Sequence, residues 1–155
     1  MPEKSALINE IRDMISNCDM FNMLLPAELQ AVASYFSTSK IPKGKIIFRE
    51  GDPGTFMCII DSGTVSVFKA NAENKNVQIA TLSKGRAFGE MAVLDGERRS
   101  AMCSTETDCE LLILSKDSLD KMLHDSPKVA AKVIRMIAIS LSRRLRMADG
   151  KLVNT

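Results

Sequence analysis

The sequence predicts an α+β fold: a β jelly-roll barrel flanked by N-terminal helices and a long C-terminal helix. Three observations carry this. Between Ser37 and Leu114, short runs rich in Ile, Val, Phe and Thr follow one another closely, separated by glycine and proline turns. Many short strands at close spacing are the mark of a sandwich or jelly-roll barrel. Before and after that stretch, apolar residues recur at three- and four-residue spacing, which is helical. Finally, 155 residues with 45% apolar and 26% charged composition suit one globular domain with a sizeable core.

The first element is a helix over Ala6–Cys18, with Leu7, Ile8, Ile11, Met14 and Ile15 on one face. A second begins at Pro26, because the first helical position leaves an amide unpaired and suits a residue without one. Leu29, Val32, Ala33 and Phe36 give it an apolar side. After Ser37 the rhythm becomes that of strands, over 45–50, 56–61, 64–69, 77–82, 101–105 and 109–114. The turns between them are Pro42-Lys43-Gly44, Gly51-Asp52-Pro53-Gly54, Asp61-Ser62-Gly63 and Lys84-Gly85. Asn71–Asn76 reads as a polar hairpin loop. Helix returns at Ser115, a suitable cap, and again at Ser126-Pro127. This last helix is expected to stop near Asp149-Gly150. Val129, Val133, Ile137, Leu141 and Leu145 form its main stripe, with Met136 and Ile139 off it. A helix apolar on more than one side is buried on more than one side. It should touch the barrel and something else, and a homodimer through this helix is compatible with that. The organisation expected is one domain over 1–155: N-terminal helices to 36, barrel over 37–114, C-terminal helices over 115–149.

A formal net charge of +2 is too small to imply direct binding of nucleic acid or an anionic membrane surface. Cys18, Cys58, Cys103 and Cys109 contain no Cys-x-x-Cys pair, so they read as reduced, buried thiols rather than metal ligands or staples. Met1–Glu10 holds no apolar run behind a basic head, and no segment is apolar for long enough to span a bilayer. The expectation is a cytoplasmic protein without a membrane partner. The sole histidine, His124, falls on a helix, and no nucleophile–base pair is visible. An enzyme, including a metal-dependent barrel enzyme, is not expected, and neither is a metal. The basic group Arg143, Arg144, Arg146 and Lys151 reads as a solvated helix end, where positive charge complements the helix dipole.

The segment that carries chemistry is Phe88–Ala101, Phe-Gly-Glu-Met-Ala-Val-Leu-Asp-Gly-Glu-Arg-Arg-Ser-Ala. A buried phosphodiester needs replacement partners for its lost water. Free amides at a helix start, a glycine for close backbone approach and an arginine fork supply them. Gly89, the amides after it and Arg99 offer all three, and Glu90 adds an acceptor for a ribose hydroxyl. Taken singly, Gly89 is a turn glycine, Glu90 a helix-start carboxylate and Arg99 a surface charge; their combined spacing is what points to a site.

This run resembles the phosphate-binding cassette of the cyclic-nucleotide-binding family, shared by the catabolite activator protein, protein kinase A regulatory subunits and cyclic-nucleotide-gated channels. Glu50-Gly51-Asp52-x-Gly54, Ile59–Val65 and Ser142–Leu145 resemble further family segments. The resemblance implies an eight-stranded barrel and a non-catalytic sensor. It implies a ligand, cyclic AMP first and cyclic GMP as the alternative, held by Gly89, Glu90, Met91, Ala92, Arg99, Ser100 and Ala101. Glu90 would accept the ribose 2′-hydroxyl, Arg99 would pair with the phosphate, and Asp52 would orient Arg99 from outside the pocket. Thr55 and Cys58 depart from the family pattern outside the cassette. Asp149 is a candidate reader of guanine as well as a helix stop, and Met147 a candidate cap on the base. The effector, a protein or a further domain, is not given by the sequence. Two alternatives stand beside the sensor module. One is the sensor half of a transcription regulator lacking its helix-turn-helix. The other is a degenerate module that binds a protein partner.

Overall fold

The computed structural model describes residues 2–154, with side chains for residues 4–150. Helix α1 (Pro2–Ser16) leads through a short 3-10 turn at Asp19–Phe21 to α2 (Pro26–Ala33). Eight strands follow: β1 (Ser37–Ile41), β2 (Ile46–Phe48), β3 (Phe56–Ser62), β4 (Val65–Ala70), β5 (Asn76–Leu82), β6 (Ala87–Phe88), β7 (Met102–Thr105) and β8 (Cys109–Ser115). Helix α3 (Glu90–Asp95) lies between β6 and β7, and α4 (Lys116–Asp125) and α5 (Pro127–Asn154) close the chain. The strands form two four-stranded antiparallel sheets in the orders β1-β8-β3-β6 and β2-β7-β4-β5. Neighbours that are distant in sequence are the mark of a jelly roll.

Two strands were not legible. β1 is polar, Ser-Thr-Ser-Lys-Ile, because it is an edge strand paired only with β8. β6 spans 2 residues, too short for a period to show.

The helix starts follow from their caps. Pro26 opens α2, where Glu28 Oε1 accepts the Leu25 amide at 2.9 Å. The Ser118 amide donates to Ser115 Oγ at 3.0 Å and caps α4. The end of α5 differs from expectation. Asp149-Gly150 does not stop it: the helix runs to Asn154, and Gly150 has no left-handed φ. A glycine terminates a helix by turning left-handed; without that turn it is only a weak helix residue.

Two apolar clusters share one sheet. Met57 and Ile59 of β3 and Leu112 and Leu114 of β8 face a helical layer containing Ile11, Ile15, Phe21, Met122, Val133 and Ile137. Cys58, Ile60 and Leu111 face the barrel interior with Phe48, Val65, Leu82, Phe88 and Cys103. Burial on both faces is why these strands read as continuous apolar runs rather than alternating ones. Lys132 of α5 donates to Glu28 of α2 at 2.8 Å, tying the C-terminal helix to the N-terminal layer. Among the described residues no helix is long and apolar enough to cross a membrane.

Candidate ligand-binding site

The chain leaves β6 into a tight turn at Gly89, which has φ +75°. A Cβ there would stand 2.6 Å from Arg99 Nη1 and 3.3 Å from the Phe48 ring. Both the backbone angle and the space therefore require glycine. Gly54 is needed for space alone, since its Cβ would fall 2.0 Å from the Ala92 Cβ. That close approach presses α3 against the turn before β3.

Arg99 is 4% exposed, although three residues in sequence from Gly96 and next to exposed Arg98 and Ser100. Its Nη1 donates to the Gly89 carbonyl at 2.9 Å and its Nη2 to the Phe56 carbonyl at 2.6 Å. The guanidinium carbon lies 3.9 Å from the Phe48 ring centre and 4.7 Å from that of Phe56. A weakly hydrated planar cation tolerates such stacking better than an ammonium would. Burial pulls its pKa below the ordinary arginine value. Its Nε is buried without an acceptor among the described residues.

Asp52, outside the cavity lining, meets Arg99 through the backbone. Its carboxylate accepts the Arg49 amide at 2.9 Å, while its carbonyl accepts the Arg99 amide at 2.8 Å. The Arg99 carbonyl in turn takes the Gly51 amide at 2.8 Å. The turn thus holds Arg99 by the backbone, and the Asp52 carboxylate shapes the turn rather than gripping the guanidinium.

Glu90, the first residue of α3, is 2% exposed. A carboxylate so removed from water needs a cation, and Arg144 of α5 provides it by an ion pair to Oε1. Arg144 is half-buried, and burial followed by the nearby charge of Arg86 lowers its pKa.

These groups surround a cavity of about 540 Å³, within the range of small-molecule sites. Gly89, Glu90, Met91, Ala92, Arg99, Ser100 and Ala101 all line it. Phe48, Val67, Ile79, Ala80, Leu82 and Cys103 form an apolar wall, and Arg144 and Ala148 close it from α5. Met147 lines a different groove, and Asp149 does not reach the cavity. The Ser100 carbonyl accepts a bond from Lys69 at 2.7 Å.

Arg144 and Arg86 are the functional candidates the sequence did not single out. A signal for Arg144 existed. It lies seven residues after buried Ile137, so two helical turns return it close to the same face. Leu145, assigned to the stripe by four-residue steps, is instead 64% exposed.

Residues 38–126 match the family model for the cyclic nucleotide-binding domain. The chain belongs to the cyclic nucleotide-binding domain family. It is 36% identical over 133 residues to the cyclic AMP receptor protein of Thermus thermophilus, covering 86% of this chain and 60% of that one. It is 30% identical over 104 residues to a cAMP-dependent protein kinase regulatory subunit of Emericella nidulans, covering 67% of this chain and 24% of that subunit. The chain thus spans less than two thirds of either relative. Among solved structures, a cyclic nucleotide-binding domain from Methylobacillus flagellatus KT superposes with a TM-score of 0.84 at 29% identity, covering 97% of this chain and 85% of that one. In this cyclic nucleotide-binding domain the segment Phe88–Ala101 links β6 to β7, and the long helix α5, which follows α4, lines the cavity with Arg144 and Ala148.

Proposed function

We propose that this domain binds cyclic AMP in the 540 Å³ cavity and reports the ligand through α5. The observation that carries the reading is Arg99, a buried cation beside the cavity whose Nε has no acceptor among the described residues. Such a donor fits a singly charged phosphodiester, with the Met91 and Ala92 region of the backbone nearby. Glu90 fits a ribose hydroxyl. These residues bind and orient; nothing in the site needs to move a proton.

The base would lie along the apolar wall of Val67, Ile79, Ala80 and Leu82, with Ser100 as the nearby hydroxyl. Ala148 stands where α5 meets the cavity, and Asp149 is not among its lining residues. Asp149 therefore supplies no carboxylate for a guanine edge, while Asp95 and Glu97 line the cavity elsewhere. The relative from Thermus carries cyclic AMP in its name, which supports cyclic AMP over cyclic GMP. An effector protein or domain would read the far end of α5, where Leu145 and Met147 are exposed.

Calorimetric titration with cyclic AMP, cyclic GMP and 5′-AMP tests the assignment. Cyclic AMP should bind most tightly and the doubly charged open phosphate most weakly. Absence of binding by either cyclic nucleotide at millimolar concentration would leave the fold as a protein-docking module.

A further inference from the structure

The segment 48–56 holds Arg99 at both ends. Its turn takes the Arg99 amide and carbonyl through Asp52 and Gly51. Its flanking aromatics, Phe48 at the end of β2 and Phe56 at the start of β3, take the guanidinium. Their ring centres are 6.0 Å apart and their planes meet at 69°, so the two rings form a corner. What the corner lacks is a counter-ion. Among the described residues no carboxylate forms an ion pair with Arg99. Asp52 bears on it only from a distance, since its Oδ2 is on the Arg49 amide. Cys58 and Cys103 also face the guanidinium, but burial pushes both thiols up to about 12, so neither is an anion. A buried cation needs replacement partners for its lost water. Here they are two carbonyls and two ring faces, whose quadrupole attracts the charge without neutralising it.

We infer that Phe48 and Phe56 are positioning residues for Arg99: their rings fix a buried guanidinium beside the cavity and leave its charge uncompensated, so that an anionic ligand completes it. The inference rests on the cyclic-nucleotide reading of the cavity. A carboxylate in the corner would hold the arginine as firmly, yet it would compete with a phosphate for the same donors. A ring face takes no hydrogen bond in the plane of the fork, and Nε has no acceptor among the described residues. The corner also fixes direction. The rings set the plane of the guanidinium, and the Gly89 and Phe56 carbonyls engage Nη1 and Nη2, so the remaining donors keep one orientation. A cyclic phosphodiester has two inequivalent exocyclic oxygens, and a fork of fixed orientation meets them unequally. Phe48 lines the cavity, whereas Phe56 is not among its lining residues. An effect of the Phe56 ring on a ligand therefore travels through Arg99.

The test is calorimetric titration of the parent, Phe56→Leu, Phe56→Tyr and Phe48→Leu. The ligands are cyclic AMP and its two phosphorothioate diastereomers, in which sulfur replaces one or the other exocyclic oxygen. The parent should distinguish the diastereomers. Leucine fills much of the space but has no ring face. Phe56→Leu should weaken cyclic AMP by roughly tenfold, the scale of one desolvated cation–ring contact, and bring the diastereomer ratio toward one. Phe48→Leu should do the same. Phe56→Tyr keeps the face and should keep both affinity and ratio. A purely structural role would weaken all three ligands alike and preserve the ratio, and that result overturns the inference. So does unchanged affinity in Phe56→Leu. Denaturant melts add an arm that needs no ligand. Phe56→Leu should cost far less stability in an Arg99→Lys background than in the parent, because an ammonium does not lie flat against a ring. Additive losses overturn the inference as well. If the parent binds no cyclic nucleotide, the reading of the cavity falls, and the melts still decide whether the rings hold the arginine.

Discussion

Arg99 does two jobs with one guanidinium. It anchors the turn by donating to the Gly89 and Phe56 carbonyls, and in the proposed function it would present the charge that a phosphate needs. Arg99→Ala should abolish measurable binding, since an unpaired desolvated charge costs about 3–5 kcal/mol. It should also lower stability by about 1–3 kcal/mol, because two buried carbonyls lose a donor. Arg99→Lys should recover less than a simple charge count suggests, because an ammonium cannot fork or stack between Phe48 and Phe56. Titration with cyclic AMP beside denaturant melts separates the two effects. Wild-type affinity in the alanine variant would refute the placement of the phosphate. Gly89→Ala adds a methyl at φ +75°, 2.6 Å from Arg99 Nη1. It should cost about 1–2 kcal/mol for the left-handed backbone alone, with affinity falling further as Arg99 is displaced. That the candidate residues of Phe88–Ala101 gather around one cavity was legible because they lie at close spacing in one segment; their part in binding a phosphate stays a proposal. Arg144 was legible only weakly: its seven-residue spacing from Ile137 put it near the apolar face, but an arginine near a helix end is by default a solvated charge, and the fold shows that this one turns inward.

The helix α5 is the element whose end the sequence misread. Asp149-Gly150 has the composition of a stop, yet the backbone continues through it in helical geometry. Gly150 has open space where a Cβ would be. Gly150→Ala should therefore stabilise this end by about 0.5–1 kcal/mol, seen as gained ellipticity. A left-handed stop would give the opposite sign. The start of α5 was legible, since Ser126-Pro127 is a strong local signal, and the Ser126 carbonyl takes the Ala130 amide at 2.9 Å. Ligand binding should slow amide exchange over 133–147, because α5 contributes Arg144 and Ala148 to the cavity. Protection confined to residues 88–101 would show that α5 takes no part. Strands β1 and β6 mark the other limit of legibility. An edge strand need not be apolar, and two residues hold no period, so pairing with β8 and β3 alone defines them.

The molecule as a whole is a barrel and a helical layer built on the two faces of one sheet. Its thiols report the integrity of both. Burial pushes Cys18 up to about 11 and Cys58 and Cys103 up to about 12. A raised thiol pKa leaves stability untouched below the ordinary value and erodes it above, because the unfolded chain releases the proton first. Denaturant-derived stability should be level up to about pH 8.5 and then decline toward pH 12; replacing Cys58 and Cys103 by alanine should flatten that decline. At neutral pH the same thiols should resist alkylation until the protein unfolds. Cyclic AMP at a hundred times its dissociation constant should add about 2.7 kcal/mol to stability, read as a higher melting temperature that 5′-AMP does not match. The alternation of helix and strand rhythm made this architecture legible, but not the sharing of β3 between two interiors. Along 57–60 its residues point by turns to the helices and to the barrel. That strand works as a party wall one residue thick. A methyl removed on the tenants' side, as in Ile59→Val, lets the wall lean, and the room next door changes shape although nothing in it was touched.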